Sequence, residues 1–556
     1  MKIECLDRPG ARPTTFLVEF KGNTILFNCP LEIKALSKLA DIDDVSPSTP
    51  PSMGNMGFNQ LDTILSRIIH NTKDIQGNDT TLLDRCDDGC VFRTVDFSLV
   101  DLNQIDVVLV ANSELMLGLP FLTEYLGYKG KIFATEPTIE FARQRMEELV
   151  AYHGRQGSFI SPESALHFSQ VGNMNRRVDE QWRSLYTLRD IRLCMQKIKP
   201  VRFNEHLSLY ETMTLVPYSS GYSLGSANWS LEATDRKIVL MSTSSIVANR
   251  HPALFDMTIM EKADVVLVSD VRSGEQNDTE SIRKKILSHT ARHLKSLHMS
   301  IPFYVVSPVA RRSLEYANIL GEWMTAGHQD IVNMATKPLE HGQLQEEKEL
   351  FAYDSLQDAI DIKEPSILLT GDYTCLKKGS VISALEHWGK DQRNLCIITD
   401  PETLLSQDIP HSRMKIISLI LNTRVSLWDV GSILATACRD TPPPHIIIPD
   451  MLGSDRFKEK WEMEHPEATQ LHTMNPGESI SIAFKNKMEM IVISEELAAR
   501  LVPEAAQING VVYAIAPITG ALAMYNNNYE LQPITEPYDE YLLKPTEIAP
   551  FNNNDT

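Results

Sequence analysis

The stretch Val107 to Pro120 reads VVLVANSELMLGLP. Its first four residues are aliphatic without interruption, the composition of a strand buried on both faces, and Asn112-Ser113-Glu114 then breaks the run with a short polar turn. A buried strand that delivers a polar turn is how α/β proteins place side chains at a site, because the sheet behind holds the loop still. Toward the N-terminus, TTFLVEF and NTILFNC are rich in β-branched and aromatic residues and are separated by Lys21-Gly22-Asn23, which predicts a hairpin. Toward the C-terminus, LPFLTEYLGY reads as helical, KIFAT as a strand, and PTIEFARQRMEELVAYH as a helix with Thr135 available as a cap and Pro137 near its first turn.

The same alternation continues through TLVPYSS, KIVLMSTSS, ADVVLVSD, PFYVVS, SILLTG, LCIITD, KIISLILN and HIIIPD. Short β-branched strands ending in Ser, Thr, Asp or Asn predict an α/β protein with layered sheets. DIDDVSPSTPPSMGNMGF, from Asp41 to Phe58, predicts a long exposed loop. With 556 residues, the chain exceeds what one core organises, so two or more domains are expected.

Composition narrows the function classes. Hydrophobic residues at 43% and charged residues at 23% are ordinary for a globular chain. A net charge of −20 repels phosphate backbones and anionic membranes, so direct binding of nucleic acid would need a local exception. Arg283-Lys284-Lys285 and Arg311-Arg312 are too short to supply one. Eight scattered cysteines do not form a secreted disulfide framework, and Cys86 and Cys90 lack a second pair at zinc-site spacing, so a reducing compartment is expected. No apolar run reaches the ~18 residues of a membrane span and the N-terminus has no secretory core, which predicts a soluble, intracellular protein. His289 and His293 share a helix face but lack the glutamate of a zinc protease, and neither a P-loop nor a GxSxG elbow occurs.

Chemistry should therefore be sought at the strand ends, which carry Asn28, Asn112, Tyr222, Thr243, Asn422 and Asp450. All are polar, yet they include one carboxylate and no imidazole. Their order, with ATEPT (134–138), RMEELV (145–150), SSGYSLGSANW (219–229), SPVARRSLEYANILGEWM (307–324), LEHWGK (385–390) and LVPEAAQINGVVYAIA (501–516), resembles the metallo-β-lactamase fold with an inserted β-CASP domain. That is the family of the RNA 3′-end processing endonucleases.

The resemblance implies an αββα sandwich, its first part at 1–271, a β-CASP-like insert at 272–417 and a return segment at 418–485. A strand-rich extension (486–535) and a disordered tail (536–556) would follow, and the local fold of 275–300 departs from the family pattern. Active members hold two zinc ions with an aspartate, an HxHxDH turn, further histidines and a bridging aspartate. Two dications about 3.5–4 Å apart need several anionic and imidazole ligands to activate one water. Carried over by resemblance, those positions are Asn28, Asn112, Glu114, Tyr222, Thr243, Ser269 (beside Asp270), Asn422 and Asp450. Leu115, Met116 and Leu117 would fill space given up by metal and water.

Amides, hydroxyls and stray acids cannot grip a zinc pair, so the expectation is no metal, no cofactor and no hydrolase activity. The implied role is a pseudo-nuclease that scaffolds an active zinc endonuclease of the Integrator subunit 11 type, with other Integrator subunits as partners and indirect contact with RNA. The pair would process small nuclear RNA 3′ ends and help terminate RNA polymerase II near promoters, in the nucleus. Two alternatives stay open. One is a metal-dependent RNA hydrolase using Glu114, Asp270 and Asp450 for Mg²⁺ or Mn²⁺; the other is the inactive subunit of the cleavage and polyadenylation machinery.

Overall fold

A computed structural model describes residues 1–35, 90–154, 181–272, 301–371, 380–399, 413–484 and 492–534, apart from short breaks within them. The Asp41–Phe58 loop, His289, His293, the segment 275–300 and the tail from 536 lie outside the described residues.

Val107–Leu109 is the fifth strand of a seven-stranded sheet ordered Ser479–Ser481, Lys2–Cys5, Phe16–Phe20, Asn23–Phe27, Val107–Leu109, Lys131–Thr135, Ile198–Val201. It pairs in parallel with Asn23–Phe27 on one side and Lys131–Thr135 on the other. The predicted hairpin is present, with Phe20 opposite Asn23. Its two-residue turn puts Lys21 at φ 50° and Gly22 at φ 76°, the left-handed pair that matches the twist of antiparallel strands.

A second seven-stranded sheet runs Leu207–Leu209, Met213–Ser219, Ala227–Glu232, Lys237–Met241, Val265–Val268, His445–Pro449, Leu471–Met474. Side chains alternate between faces along a strand, and this alternation assigns the layers. Leu26, Val108, Val110, Ile132 and Ala134 pack with Ala142, Met146 and Leu149 of the Glu136–Gly154 helix and Ile191 and Cys194 of the Leu188–Gln196 helix. Val239, Met241, Val266, Val268, Ile446 and Ile448 pack with Val430, Ile433, Phe457 and Trp461 of the Leu427–Ala437 and Ser454–Glu464 helices. The residues between them, Ile25, Phe27, Val107 and Leu109 in one sheet and Ile238, Leu240, Val265 and Leu267 in the other, are fully buried on the opposite faces. The order is therefore helix, sheet, sheet, helix. Trp229, completely buried, ties the sheets by donating its indole N–H to the Val110 carbonyl at 3.2 Å.

Val265–Val268 and His445–Pro449 are parallel neighbours although far apart in sequence. The chain between them builds a parallel sheet of its own, Leu350–Tyr353, Phe303–Val306, Ile367–Thr370, and a Leu395–Ile398/Lys415–Ser418 pair. Leu320, Trp323, Met324 and Leu339 of this inserted segment pack against Phe141, Phe203 and Leu224 of the first part. Ser307 donates to Glu148 at 2.5 Å, and Arg312 pairs with Glu147 at 2.7 Å. Residues from Phe484 onward form a separate compact unit. It contains the Glu504–Ile508/Val511–Ile515 hairpin and the sheet Val492–Ile493, Asn528–Gln532, Ala521–Tyr525.

Thr135, the last residue of its strand, directly precedes the Glu136–Gly154 helix, and its hydroxyl donates to the Gly225 carbonyl at 2.5 Å and lies 2.9 Å from Thr138 Oγ1. One local expectation needs correction. The LPFLTEYLGY helix is short, with wide π-type turns over Phe121–Tyr125.

Candidate functional site

Polar strand ends from both sheets meet where Val107–Leu109 stops. Asn28, fully buried at φ 69°, donates to the Thr14 carbonyl at 2.8 Å and approaches Ser242 Oγ at 3.5 Å, and its Oδ1 accepts from Ala111 N at 2.9 Å. Its amide thus works as a backbone clamp. Asn112 Oδ1 accepts from both Glu114 N and Leu115 N at 3.1 Å, fixing the Glu114–Met116 turn, while its Nδ2 donates to Thr243 Oγ1 at 3.0 Å. Thr243 Oγ1 in turn donates a short hydrogen bond to Asp270 Oδ2. Asp270, buried at φ 48°, faces the Arg424 guanidinium with 3.4 Å between Oδ1 and Nη1. The chain Asn112, Thr243, Asp270, Arg424 joins both sheets to the loop that enters the Leu427–Ala437 helix.

The other strand-end residues are placed differently. Ser269 donates back to the Met241 carbonyl at 3.2 Å, and Asn422 accepts from Arg424 N at 3.1 Å. Asp450 is exposed and accepts from Ser454 Oγ at 3.0 Å. Glu114 points outward at 57% exposure, 3.5 Å from Arg145 Nε. Leu115, Met116 and Leu117 are buried, with Met116 and Leu117 in the helix-side core of the first sheet.

This donor set does not fit a pair of zinc ions. Zinc takes thiolate, imidazole or carboxylate, whereas the groups converging here are amides and hydroxyls whose lone pairs and protons are committed to one another. The lone buried carboxylate already has an arginine as its cation. Among the described residues no three or more His, Cys, Asp or Glu side chains stand where they could share a metal ion, and so Glu114, Asp270 and Asp450 do not form such a group.

Beside the network lies a cleft of about 580 Å³ between the first part and the inserted segment. Tyr222, half-buried, lines it with Arg145 and Arg250, and Phe141, Leu224 and Leu339 give it an apolar wall. Glu148 is held there by Arg145 Nη1 at 2.8 Å. Neither Arg424 nor Arg250 was anticipated. The only hint in sequence is that each is a charged residue set among polar loop residues, VANRHP and NTRVSL.

Residues 78–272 match the metallo-beta-lactamase superfamily domain. The chain carries a metallo-β-lactamase domain. Its four-layer order and buried strand ends are those of that fold. Over 98% of its length the chain is 28% identical to an Integrator complex subunit 9 homolog of Nematostella vectensis, covering 86% of that protein. It is 26% identical to Integrator complex subunit 9 of Homo sapiens over 97% of the chain and 85% of that protein. An Integrator complex subunit 11 homolog of Dictyostelium discoideum aligns at 24% identity over 34% of the chain and 24% of that protein. Among solved structures, the metallo-beta-lactamase fold protein YhfI of Bacillus subtilis overlaps half of the chain and 74% of its own at a TM-score of 0.24 and 11% identity. So loose an overlap carries no weight here. Among the described residues no helix is long and apolar enough to cross a membrane.

Proposed function

We propose that this protein is a catalytically inactive subunit of the Integrator complex, working in the nucleus. It scaffolds an active zinc endonuclease similar to Integrator subunit 11 during small nuclear RNA 3′-end processing and promoter-proximal termination by RNA polymerase II. In this reading the inserted segment is a β-CASP-like domain spanning 272–417. Asn28, Asn112, Glu114, Tyr222, Thr243, Ser269, Asn422 and Asp450 are the degenerate remains of a ligand set.

The observation that supports the reading most is the Asn112–Thr243–Asp270–Arg424 network. Where a dinuclear site would need anions and imidazoles around a dication, this domain has a self-satisfied set of amides and hydroxyls closed by an organic cation. The near full-length similarity to proteins named Integrator complex subunit 9 supplies the complex. A net charge of −20 agrees with contact to RNA made through the partner.

Mixing the purified full chain with the catalytic subunit of the same organism is the test. Expected is a stable 1:1 complex burying more than roughly 1,000 Å² in total, with RNA cleavage by the pair only. The chain by itself should hold no stoichiometric zinc, manganese or magnesium and should not cut RNA. A chain that stays monomeric beside its counterpart overturns the pairing. Stoichiometric metal with cleavage lost in Asp450→Ala would instead establish the oxygen-ligand hydrolase.

A further inference from the structure

The Leu188–Gln196 helix covers the first sheet with one face and turns the other to solvent. Ile191 and Cys194 lie in the core beneath it. On the outer side the helical period groups Leu188, Arg189, Arg192, Leu193 and Gln196, all exposed. A surface helix normally gives water its polar residues, yet Leu188 and Leu193 are 45% and 38% exposed. Single exposed leucines are ordinary and need no account. These two are interleaved with arginines.

Neither guanidinium has an ion pair among the described residues, unlike Arg143 and Arg145 of the Glu136–Gly154 helix. Asp190 stands between them in sequence but is spent at the start of the helix, where its Oδ2 accepts from Thr187 N and Thr187 Oγ1 at 2.8 Å each and from Tyr125 Oη at 3.1 Å. That capping box also holds the helix end in place, so the outer face is presented without prior ordering. From Arg189 to Arg202 the chain sets five basic residues, all exposed, against the one acid Asp190. Lys197 is taken by Glu124 at 2.7 Å, and Lys199 lies over the Phe133 ring at 5.7 Å, which leaves the two arginines of the helix open. In a chain of net charge −20 this is a local reversal of sign.

We propose that this helix face docks a short acidic segment of a partner protein that also carries leucines, its carboxylates meeting Arg189 and Arg192 and its apolar side chains covering Leu188 and Leu193. A guanidinium fork matches a carboxylate with two parallel hydrogen bonds, and burial of the leucines adds the apolar part of the contact. Length and screening both call for a short occupant. Nine residues make a helix about 13 Å long. At physiological ionic strength the screening length is about 8 Å, so the arginines prevail over the acidic surface only close to the helix. RNA fits less well, because a sugar-phosphate chain has nothing to set against the leucines and the helix has no aromatic ring on which a base could stack. The docking face needs only this chain and stands apart from the pairing with a nuclease.

Fluorescence anisotropy of the purified full chain with a labelled peptide tests it. The probe is an amphipathic helix of glutamate and leucine, about fifteen residues or four turns long. The other arms are the same peptide with glutamine for each leucine, the same peptide with lysine for each glutamate, and labelled decauridylate. Expected is saturable binding of the first peptide, at least tenfold weaker binding of the leucine-free peptide, and none of the lysine peptide. The double variant Arg189→Gln, Arg192→Gln should lose at least tenfold in affinity, and so should Leu188→Ser, Leu193→Ser. Arg500→Gln, which removes an exposed arginine of the separate C-terminal unit, should bind as the parent does. Equal melting temperatures of variants and parent keep a failed fold from mimicking a loss. No binding of the first peptide, unchanged affinity in either double variant, or equal binding of the leucine-free peptide overturns the proposal. Decauridylate that binds as tightly as the peptide and is lost with the same arginines makes the face a nucleic-acid surface and overturns it as well.

Discussion

Thr423 and Arg424 are consecutive residues that serve two regions with opposite treatments of charge. Arg424 reaches Asp270 in the strand-end network, whereas Thr423 receives the guanidinium of Arg250 from the cleft. In the network, Asp270 has a cation and a hydroxyl donor, and the amides of Asn28 and Asn112 spend both their ends on neighbours. The cleft keeps the Arg250 guanidinium, which among the described residues donates to the neutral hydroxyl of Thr423 and meets no carboxylate. A region satisfied from within acts as framework, whereas the cleft beside it sets a guanidinium against open volume. The difference teaches that one domain can close one polar cluster on itself and leave a neighbouring cation facing a cavity.

Removing Arg424 is the harshest way to break this contrast. Arg424→Met leaves the Asp270 carboxylate buried without its cation and should cost about 3–5 kcal/mol in denaturant unfolding. Adding Asp270→Asn should return much of that loss, because the stranded charge disappears with it. If Arg424→Met costs under about 1 kcal/mol, a typical value for an exposed pair, then the network is not held by this cation.

Gly221 sharpens the comparison from the backbone side, since it begins the loop that carries Tyr222 into the cleft. It sits at φ 71°, and a Cβ there would come within 2.2 Å of the Ser245 carbonyl oxygen. Gly221→Ala combines left-handed strain with a collision against backbone and should cost about 2–4 kcal/mol. The melting curve reads it. A loss below about 1 kcal/mol would mean that the loop can move aside, and the cleft wall would not be rigid.

Much of the framework was legible because it rests on local pattern. VVLV announces a strand buried on both faces, and its alternate residues do divide between a helix layer and a facing sheet. Lys21-Gly22 announces the hairpin, and Trp229 in GSANW is fully buried. Strand ends could be located for the same reason, and Asn28, Asn112 and Thr243 do converge. Their partners were not legible. Arg424 meets Asp270 only because the Leu427–Ala437 helix returns to the sheet after a long inserted segment, and no periodicity records such a meeting. Thr135 is legible as the residue before a helix, but its bond to the carbonyl of the distant Gly225 is not, since no local pattern records it.

Asp7 offers a buried carboxylate without the cation that Asp270 has. It accepts from Thr14 N and Thr15 N at 2.7 Å each and from Thr14 Oγ1 at 3.2 Å, yet burial outweighs these bonds and raises its pKa to about 6. A folded-state pKa above the unfolded 3.8 means that the folded form binds the proton more readily between pH 3.8 and about 6. The stability from this group is therefore present at the acid end and is lost as pH rises through about 6. Asp7→Asn, which keeps an acceptor for the two amides, should raise stability at pH 7 by about 1–3 kcal/mol relative to its effect at pH 4.5. Denaturant unfolding of parent and variant at both pH values measures the difference. The same offset at both would show that Asp7 does not titrate in that window.

The smallest expected effect is the one that distinguishes the two arginines most directly. Among the described residues Arg250 has no acid to strand, so Arg250→Gln leaves no buried anion among them and removes a desolvated charge. Its carboxamide can still donate to a hydroxyl such as that of Thr423, which offsets the lost bond. Stability should then change by no more than about 0.5 kcal/mol in either direction, against the several kcal/mol expected at Arg424. Paired unfolding curves for Arg250→Gln and Arg424→Met settle the ratio. Equal losses would mean that Arg250 is as much a part of the framework as Arg424, and the division between a closed network and an open cleft would fall.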